Sequence, residues 1–231
     1  DKEYLERQGI IWHNVAGYST ESVAQHTFAM LFYLYEKLRY YDDYVKQEHY
    51  VSDVMFTHFE KRFHQLAGRT WGIIGLGNIG RRVADIAQAF GCQVIYYSTS
   101  GRNHNSAYKE VDFDTLLQES DIVSIHAPLD ENTQGLIDAA AFDRMKRDAV
   151  LLNVGRGPII VEKDLADALE RGKLAAAGLD VLCEEPMSPE NPLRKIKDSE
   201  RLLITPHIAW ASVEARNSLM QTILEQVRSG K

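Results

Sequence analysis

Thr70-Trp71-Gly72-Ile73-Ile74-Gly75-Leu76-Gly77-Asn78-Ile79-Gly80 is the stretch on which the fold turns. A short apolar run enters a Gly-x-Gly-x-x-Gly turn. Beyond it Ile79, Val83, Ile86, Ala87 and Phe90 recur at helical spacing until Gly91, placed as a C-terminal cap. Val94-Ile95-Tyr96-Tyr97 then predicts a second strand, so the unit reads strand, glycine turn, helix, strand. The three glycines act differently. Gly75 permits the tight turn, Gly77 lets a pyrophosphate approach the backbone, and Gly80 lets helix and strand pack closely. The helix start at Asn78-Ile79 offers unpaired N–H groups to the phosphates. Glycine-rich turns are common, and the flanking strand and helix are what turn this one into an expected dinucleotide site.

Working outward, the same alternation continues. Asp112 to Glu119 predicts a short helix and Ile122 to His126 a buried strand; Asp138 to Met145 and Ala149 to Val154 repeat the pair. Glu162 to Arg171 predicts a helix stopped by Gly172, Leu174 to Val181 a strand, and Arg201 to Ile204 a last strand ending at Thr205-Pro206-His207. Such alternation predicts an α/β fold with a parallel, doubly wound sheet. Ahead of it, Asp1 to Gly9 reads as a helix tail with a glycine stop and Ile10 to Val15 as a strand. Ser22 to about Tyr44 reads as one long amphipathic helix whose end is rich in tyrosine, and Val51 to Leu66 as a linking arm. His49, His58 and His64 share no ligand-like spacing with cysteine or carboxylate, so no metal site is expected.

The 231 residues suffice for one large or two modest domains. With 26 basic against 33 acidic residues, the net charge of −7 carries no electrostatic footprint for nucleic acid or an anionic membrane. Cys92 and Cys183 form neither a disulfide framework nor a zinc pattern; both read as small core hydrophobes, and a reducing cytoplasm is the expected setting. No apolar run has membrane-spanning length, and no signal-peptide pattern opens the chain.

In a doubly wound sheet, ligands bind beyond the carboxyl ends of the strands. The residues expected there are the glycine turn, Ser98-Thr99-Ser100, His126-Ala127-Pro128, Gly155-Arg156-Gly157, Asp180 with Glu185, and His207. They bring an arginine, a carboxylate and a histidine to one edge. A carboxylate beside a histidine orients the ring and favours its charged form, giving an acid and base suited to neutral pH. An arginine supplies a permanent forked charge for a carboxylate or a carbonyl.

These residues resemble the D-isomer-specific 2-hydroxyacid dehydrogenase family. The likeness runs from Val15-Ala16-Gly17-Tyr18-Ser19 and Val23-Ala24-Gln25-His26-Thr27 to His207-Ile208-Ala209-Trp210. Its specific pieces are Gly75 to Gly80, Asn153-Val154-Gly155-Arg156-Gly157, Asp180-Val181 through Glu185-Pro186, and Thr205-Pro206-His207. The resemblance implies a Rossmann-type sheet and hydride transfer between NAD(H) or NADP(H) and a small 2-keto or 2-hydroxy acid. Arg156, Glu185 and His207 fall on the family's catalytic positions. Its cofactor positions fall on Gly75, Gly77, Asn78, Ile79, Gly80, Ser98, Thr99, Arg102, His126, Ala127, Pro128 and Thr133, and further on at Val154, Gly155, Arg156, Asp180, His207 and Ala209. Asp180 would take the nicotinamide carboxamide.

Three departures from the family pattern matter. The acid expected at the end of the second strand is Ser98, and Arg102 follows in the same loop. That loop has nothing to repel a 2′-phosphate and one charge to pair with it, which favours NADP(H). Gln25 stands where glutamate is usual. Finally, usual domain sizes lead us to expect roughly a hundred residues of substrate domain ahead of Asp1. On that reading residues 1–18 are a remnant of that domain, 19–207 form the dinucleotide-binding domain, 208–231 return as a terminal helix, and turnover by this chain alone is weak or absent. A homodimer through the Ser22 to Tyr44 helix and its arm is implied by the resemblance. The alternatives are a dinucleotide-sensing binding protein of corepressor type, which retains the same three catalytic residues, and a purely structural scaffold.

Overall fold

The computed structural model describes residues 2–229. Its centre is a seven-stranded parallel sheet built from β1 (Thr70–Ile74), β2 (Gln93–Tyr97), β3 (Lys109–Glu110), β4 (Ile122–Ile125), β5 (Val150–Asn153), β6 (Ala176–Leu179) and β7 (Leu202–Ile204), in the spatial order β3-β2-β1-β4-β5-β6-β7. The chain runs outward from β1 through β2 to β3, then crosses back to the other side of β1 to start β4. The switch point therefore lies between β1 and β4, where the ends of two neighbouring strands diverge and leave a crevice. The α/β, doubly wound fold read from the sequence is the one observed.

The strands are buried on both faces, as a sheet covered by helices requires. Trp71 and Ile73 face one layer, formed by α2 (Thr20–Tyr35) and α4 (Asn78–Ala89). Ile74, Val123, Ile125 and Leu151 face the other, formed by α5 (Phe113–Glu119), α6 (Ala139–Arg144) and α7 (Glu162–Glu170). Asp112 and Asp138 cap the starts of α5 and α6 by accepting from Thr115 N and Ala141 N, which is why those short helices begin where they do.

Outside the sheet three expectations need correction. The single helix from Ser22 to Tyr44 is two, α2 and α3 (Leu38–Lys46), because Lys37 takes a left-handed conformation with φ 57°. Its Nζ donates to Glu200 O at 3.2 Å, a tertiary contact that holds a backbone state unfavourable for a non-glycine residue. Ile10–Val15 is not a strand; α1 (Lys2–Arg7) ends before Gly9, and the run beyond it forms no regular element, with Ile10 and Ile11 exposed. Cys92 is buried as expected, but Cys183 is exposed rather than a core residue. The edge strand β3, two exposed residues long, was not anticipated. The terminal helix α8 spans Val213–Ser229.

Candidate active site

Three cavities line the carboxyl edge of the sheet. The first, about 170 Å³, sits on the glycine turn and is bordered by Gly75, Leu76, Gly77, Ser98, Thr99, Ser100 and His126 among others. Gly75 has φ +90°, and a Cβ there would lie 2.7 Å from the Ala127 backbone, so the turn after β1 and the loop after β4 meet only because this residue is glycine. A Cβ on Gly80 would stand 2.3 Å from Gly75 O, the close helix-to-strand packing expected of that position. Gly77 has open space beside it and no side chain caps α4, which leaves the amides of its first turn facing the crevice.

Two buried polar atoms, Ser98 Oγ and His126 Nδ1, have no hydrogen-bond partner, and their residues border this same cavity. Buried polar groups are ordinarily satisfied, so a pair of orphans beside a glycine cradle is the mark of a site shaped for a polar ligand. A dinucleotide fits: backbone room and free amides for a pyrophosphate, and a hydroxyl where the sugar end would lie. Burial pushes the His126 ring down to about 3, so the imidazole is neutral here. Its Nε2 contacts Ser124 Oγ at 3.0 Å, and Trp71 Nε1 donates to the same oxygen at 2.8 Å. Arg102 is exposed on the loop after β2. That loop is tied back to β3 by His104 Nδ1 to Glu110 Oε2 at 2.7 Å, Tyr96 Oη to the same oxygen at 2.9 Å, and Asn105 N to Tyr96 Oη at 2.9 Å.

The second cavity, about 430 Å³, is shared by Ile79, His126, Ala127, Pro128, Val154, Gly155 and Arg156. Asn153 at the end of β5 shapes its floor, donating to Arg156 O at 2.9 Å and accepting from Gly155 N at 3.0 Å. The glycine after the arginine has a separate cause: a Cβ on Gly157 would fall 1.9 Å from Leu182 C, so backbone from the β6 loop occupies the space a side chain would need. Arg156 itself is exposed between the two.

In the third cavity, about 490 Å³, Asp180, Leu182, Glu185, Met187, Ile204 and His207 meet. His207 Nδ1 lies 2.7 Å from Glu185 Oε2, while Leu182 N donates to Glu185 Oε1 at 2.8 Å. Burial opposes the Glu185 charge, but the Leu182 amide, His207 and the nearby Arg156 charge together hold its carboxyl below the ordinary value. His207 and Glu185 are thus brought into contact, while Arg156 lines the neighbouring cavity, near enough for its charge to act on Glu185. His207 has φ 55°, and its N–H donates to Asp180 O at 2.8 Å. The Asp180 carboxylate, 1% exposed, accepts from Thr205 Oγ1 at 2.6 Å, Ile208 N at 2.9 Å and Ala209 N at 2.8 Å.

Two expected cofactor contacts are engaged elsewhere. Thr133 is fully buried, and its hydroxyl donates to Pro128 O at 2.7 Å, which shapes the loop after β4 instead of reaching the crevice. Ala209 is buried with its amide committed to Asp180. Sequence reasoning gave no role to Asn153 beyond its place in a motif, and none to His26, whose Nε2 lies 3.0 Å from Thr205 Oγ1. A polar residue inside an otherwise apolar helix face was the available signal for His26. Among the described residues no group of acidic, histidine or cysteine side chains is arranged to hold a metal. Among them too, no helix is long and apolar enough to cross a membrane.

Fold and crevice define a Rossmann-type unit for a nicotinamide dinucleotide. Residues 28–209 match the family described as "D-isomer specific 2-hydroxyacid dehydrogenase, NAD binding domain". The chain is 38% identical over 224 residues to a hydroxypyruvate reductase of Blautia hydrogenotrophica, covering 95% of this chain and 68% of that protein. It is also similar to the crystal structure of D-lactate dehydrogenase from Aquifex aeolicus complexed with NAD and lactic acid, with a TM-score of 0.88, 28% identity, and coverage of 100% of this chain and 73% of that one. An acyclic imino acid reductase in complex with NADPH and D-Arg superposes with a TM-score of 0.87 at 31% identity, over 99% of this chain and 71% of that one. The chain belongs to the D-isomer specific 2-hydroxyacid dehydrogenase family and is an oxidoreductase of that class. These relatives lend no support to the corepressor-type reading.

Proposed function

We propose that this chain interconverts a small 2-keto acid and its D-2-hydroxy acid, with hydroxypyruvate/D-glycerate, glyoxylate/glycolate and pyruvate/D-lactate as the candidate pairs. The observation that carries the reading is the 2.7 Å His207–Glu185 pair beside Arg156 at the carboxyl edge of the sheet. When bound, the coenzyme supplies or accepts the hydride at the substrate's 2-carbon. Protonated His207 gives its Nε2 proton to the carbonyl oxygen in reduction and removes it in oxidation. Glu185, kept ionised by its surroundings, accepts from Nδ1 and so orients the ring. Arg156 binds the substrate carboxylate and stabilises negative charge growing on the 2-oxygen. Asp180 retains one acceptor site on Oδ2 for the nicotinamide carboxamide.

The same proposal extends to the coenzyme contacts and the parts of the chain. Gly75, Gly77, Asn78, Ile79 and Gly80 hold the pyrophosphate. Ser98, Thr99 and Arg102 take the adenosine ribose, and the lack of an acid there favours NADP(H) over NAD(H). Residues 19–207 act as the coenzyme unit, with 1–18 and 208–231 belonging to the substrate side of the cleft. The arm after α3 supports a homodimer. Val54 is 99% exposed and Phe56 88%, with Val51, Phe59 and Phe63 also exposed, an apolar surface that a second copy would cover. Two free thiols fit a cytoplasmic setting. The test, made on this unit joined to a substrate domain, is the absorbance of the reduced nicotinamide on addition of hydroxypyruvate, glyoxylate or pyruvate with each coenzyme. Oxidation by at least one acid, faster with NADPH, is expected; coenzyme binding with no oxidation by any of them would refute the assignment.

A further inference from the structure

In the second turn of α2, away from the catalytic trio, the chain places a histidine against the loop that carries His207. His26 Nε2 lies 3.0 Å from Thr205 Oγ1 and 3.5 Å from Asp180 Oδ1, with the His26 side chain 19% exposed and that of Asp180 1%. A threonine hydroxyl has one hydrogen. Thr205 spends it on Asp180 Oδ1 at 2.6 Å, so the contact with His26 requires that the imidazole N–H donate. The hydrogen bonds therefore run in one direction, from His26 through Thr205 to Asp180. Ser22, one helical turn earlier on the same face, donates to Ala209 O at 2.6 Å. The start of α2 thus grips residues 205–209 at two points, on either side of the left-handed turn at His207.

We infer that His26 is a positioning residue, which locks Thr205 as a donor to Asp180 and thereby aims the free acceptor site of Asp180 Oδ2 at the coenzyme. Without the imidazole N–H the Thr205 hydroxyl is free to rotate. The carboxylate then keeps the Ile208 amide on Oδ1 and the Ala209 amide on Oδ2 but loses the third, shortest contact, which fixes its tilt and hence the direction of the free Oδ2 site. The brace rests on geometry alone; what it aims at rests on the proposed function above.

The two are tested separately in the full chain. Long-range proton–nitrogen NMR of the His26 ring, read without coenzyme, is expected to show the Nε2–H form and to lose that signature in Thr205→Val. A ring protonated only on Nδ1, or a signature indifferent to Thr205→Val, would overturn the brace. The aim is read from dissociation constants for NAD and its 3-acetylpyridine analogue, in which a methyl ketone replaces the carboxamide and no N–H remains. Wild type is expected to prefer NAD by about tenfold, the scale of one hydrogen bond to a charged group. His26→Ala should cut that preference to about twofold, and His26→Gln, whose amide N–H reaches the same oxygen, should restore most of it. An unchanged preference in a folded His26→Ala protein overturns the inference. No preference in wild type refutes the carboxamide role of Asp180, and the ring signature then decides the brace.

Discussion

Acid should weaken this fold through His126. Its ring is neutral in the folded chain because burial holds its pKa at about 3, whereas an unfolded histidine titrates near 6.5. As pH falls below about 6.5 the unfolded state takes up a proton that the folded state refuses until about 3, so stability is full above that window and is lost as pH drops through it. The loss runs at about 1.4 kcal/mol per pH unit once the unfolded ring is mostly charged, which between pH 7 and pH 5 amounts to about 2 kcal/mol. That is a sizeable share of an ordinary domain's stability. Urea denaturation of wild type and His126→Asn at both pH values isolates the effect, since the variant shares every other titrating group. The stability difference between the two proteins should shift by about 2 kcal/mol in favour of the variant at pH 5. Parallel pH dependence in the two proteins would show that the ring is not held neutral.

Two further perturbations probe the crevice. Gly80→Ala introduces a Cβ that would stand 2.3 Å from Gly75 O, and overpacking of this kind costs about 1–3 kcal/mol, enough to lower the melting temperature by several degrees; an unchanged melting curve would mean that helix and turn are further apart than described. Ser98→Asp places a carboxylate at a buried hydroxyl with no partner, and should weaken NADPH by tenfold or more relative to NADH in fluorescence titrations; an unchanged ratio would remove that position from coenzyme choice.

The parts of this fold that were legible in the sequence are those with local causes. The glycine turn and the stops at Gly91 and Gly172 act through neighbouring backbone, and each stands where residue type alone placed it. The break at Lys37 was not legible, because no glycine or proline marks it and the left-handed backbone is held by Glu200, far along the chain. Ile10–Val15 carried strand-like residues but found no neighbouring strand, and pairing is what makes a strand. In the site, the residues at strand ends could be found by topology. Asn153, Gly157 and His26 could be named as parts of motifs, yet what each does depends on which loop approaches it in space.

The central claim is that His207 moves the proton that accompanies hydride transfer. Its most direct test compares wild type and His207→Ala for oxidation of reduced coenzyme by the preferred 2-keto acid, alongside coenzyme affinity. The account predicts that kcat falls by about 10²–10⁴-fold, the range for loss of a general acid, while the coenzyme dissociation constant stays within about twofold. Turnover that survives the substitution nearly intact would contradict it.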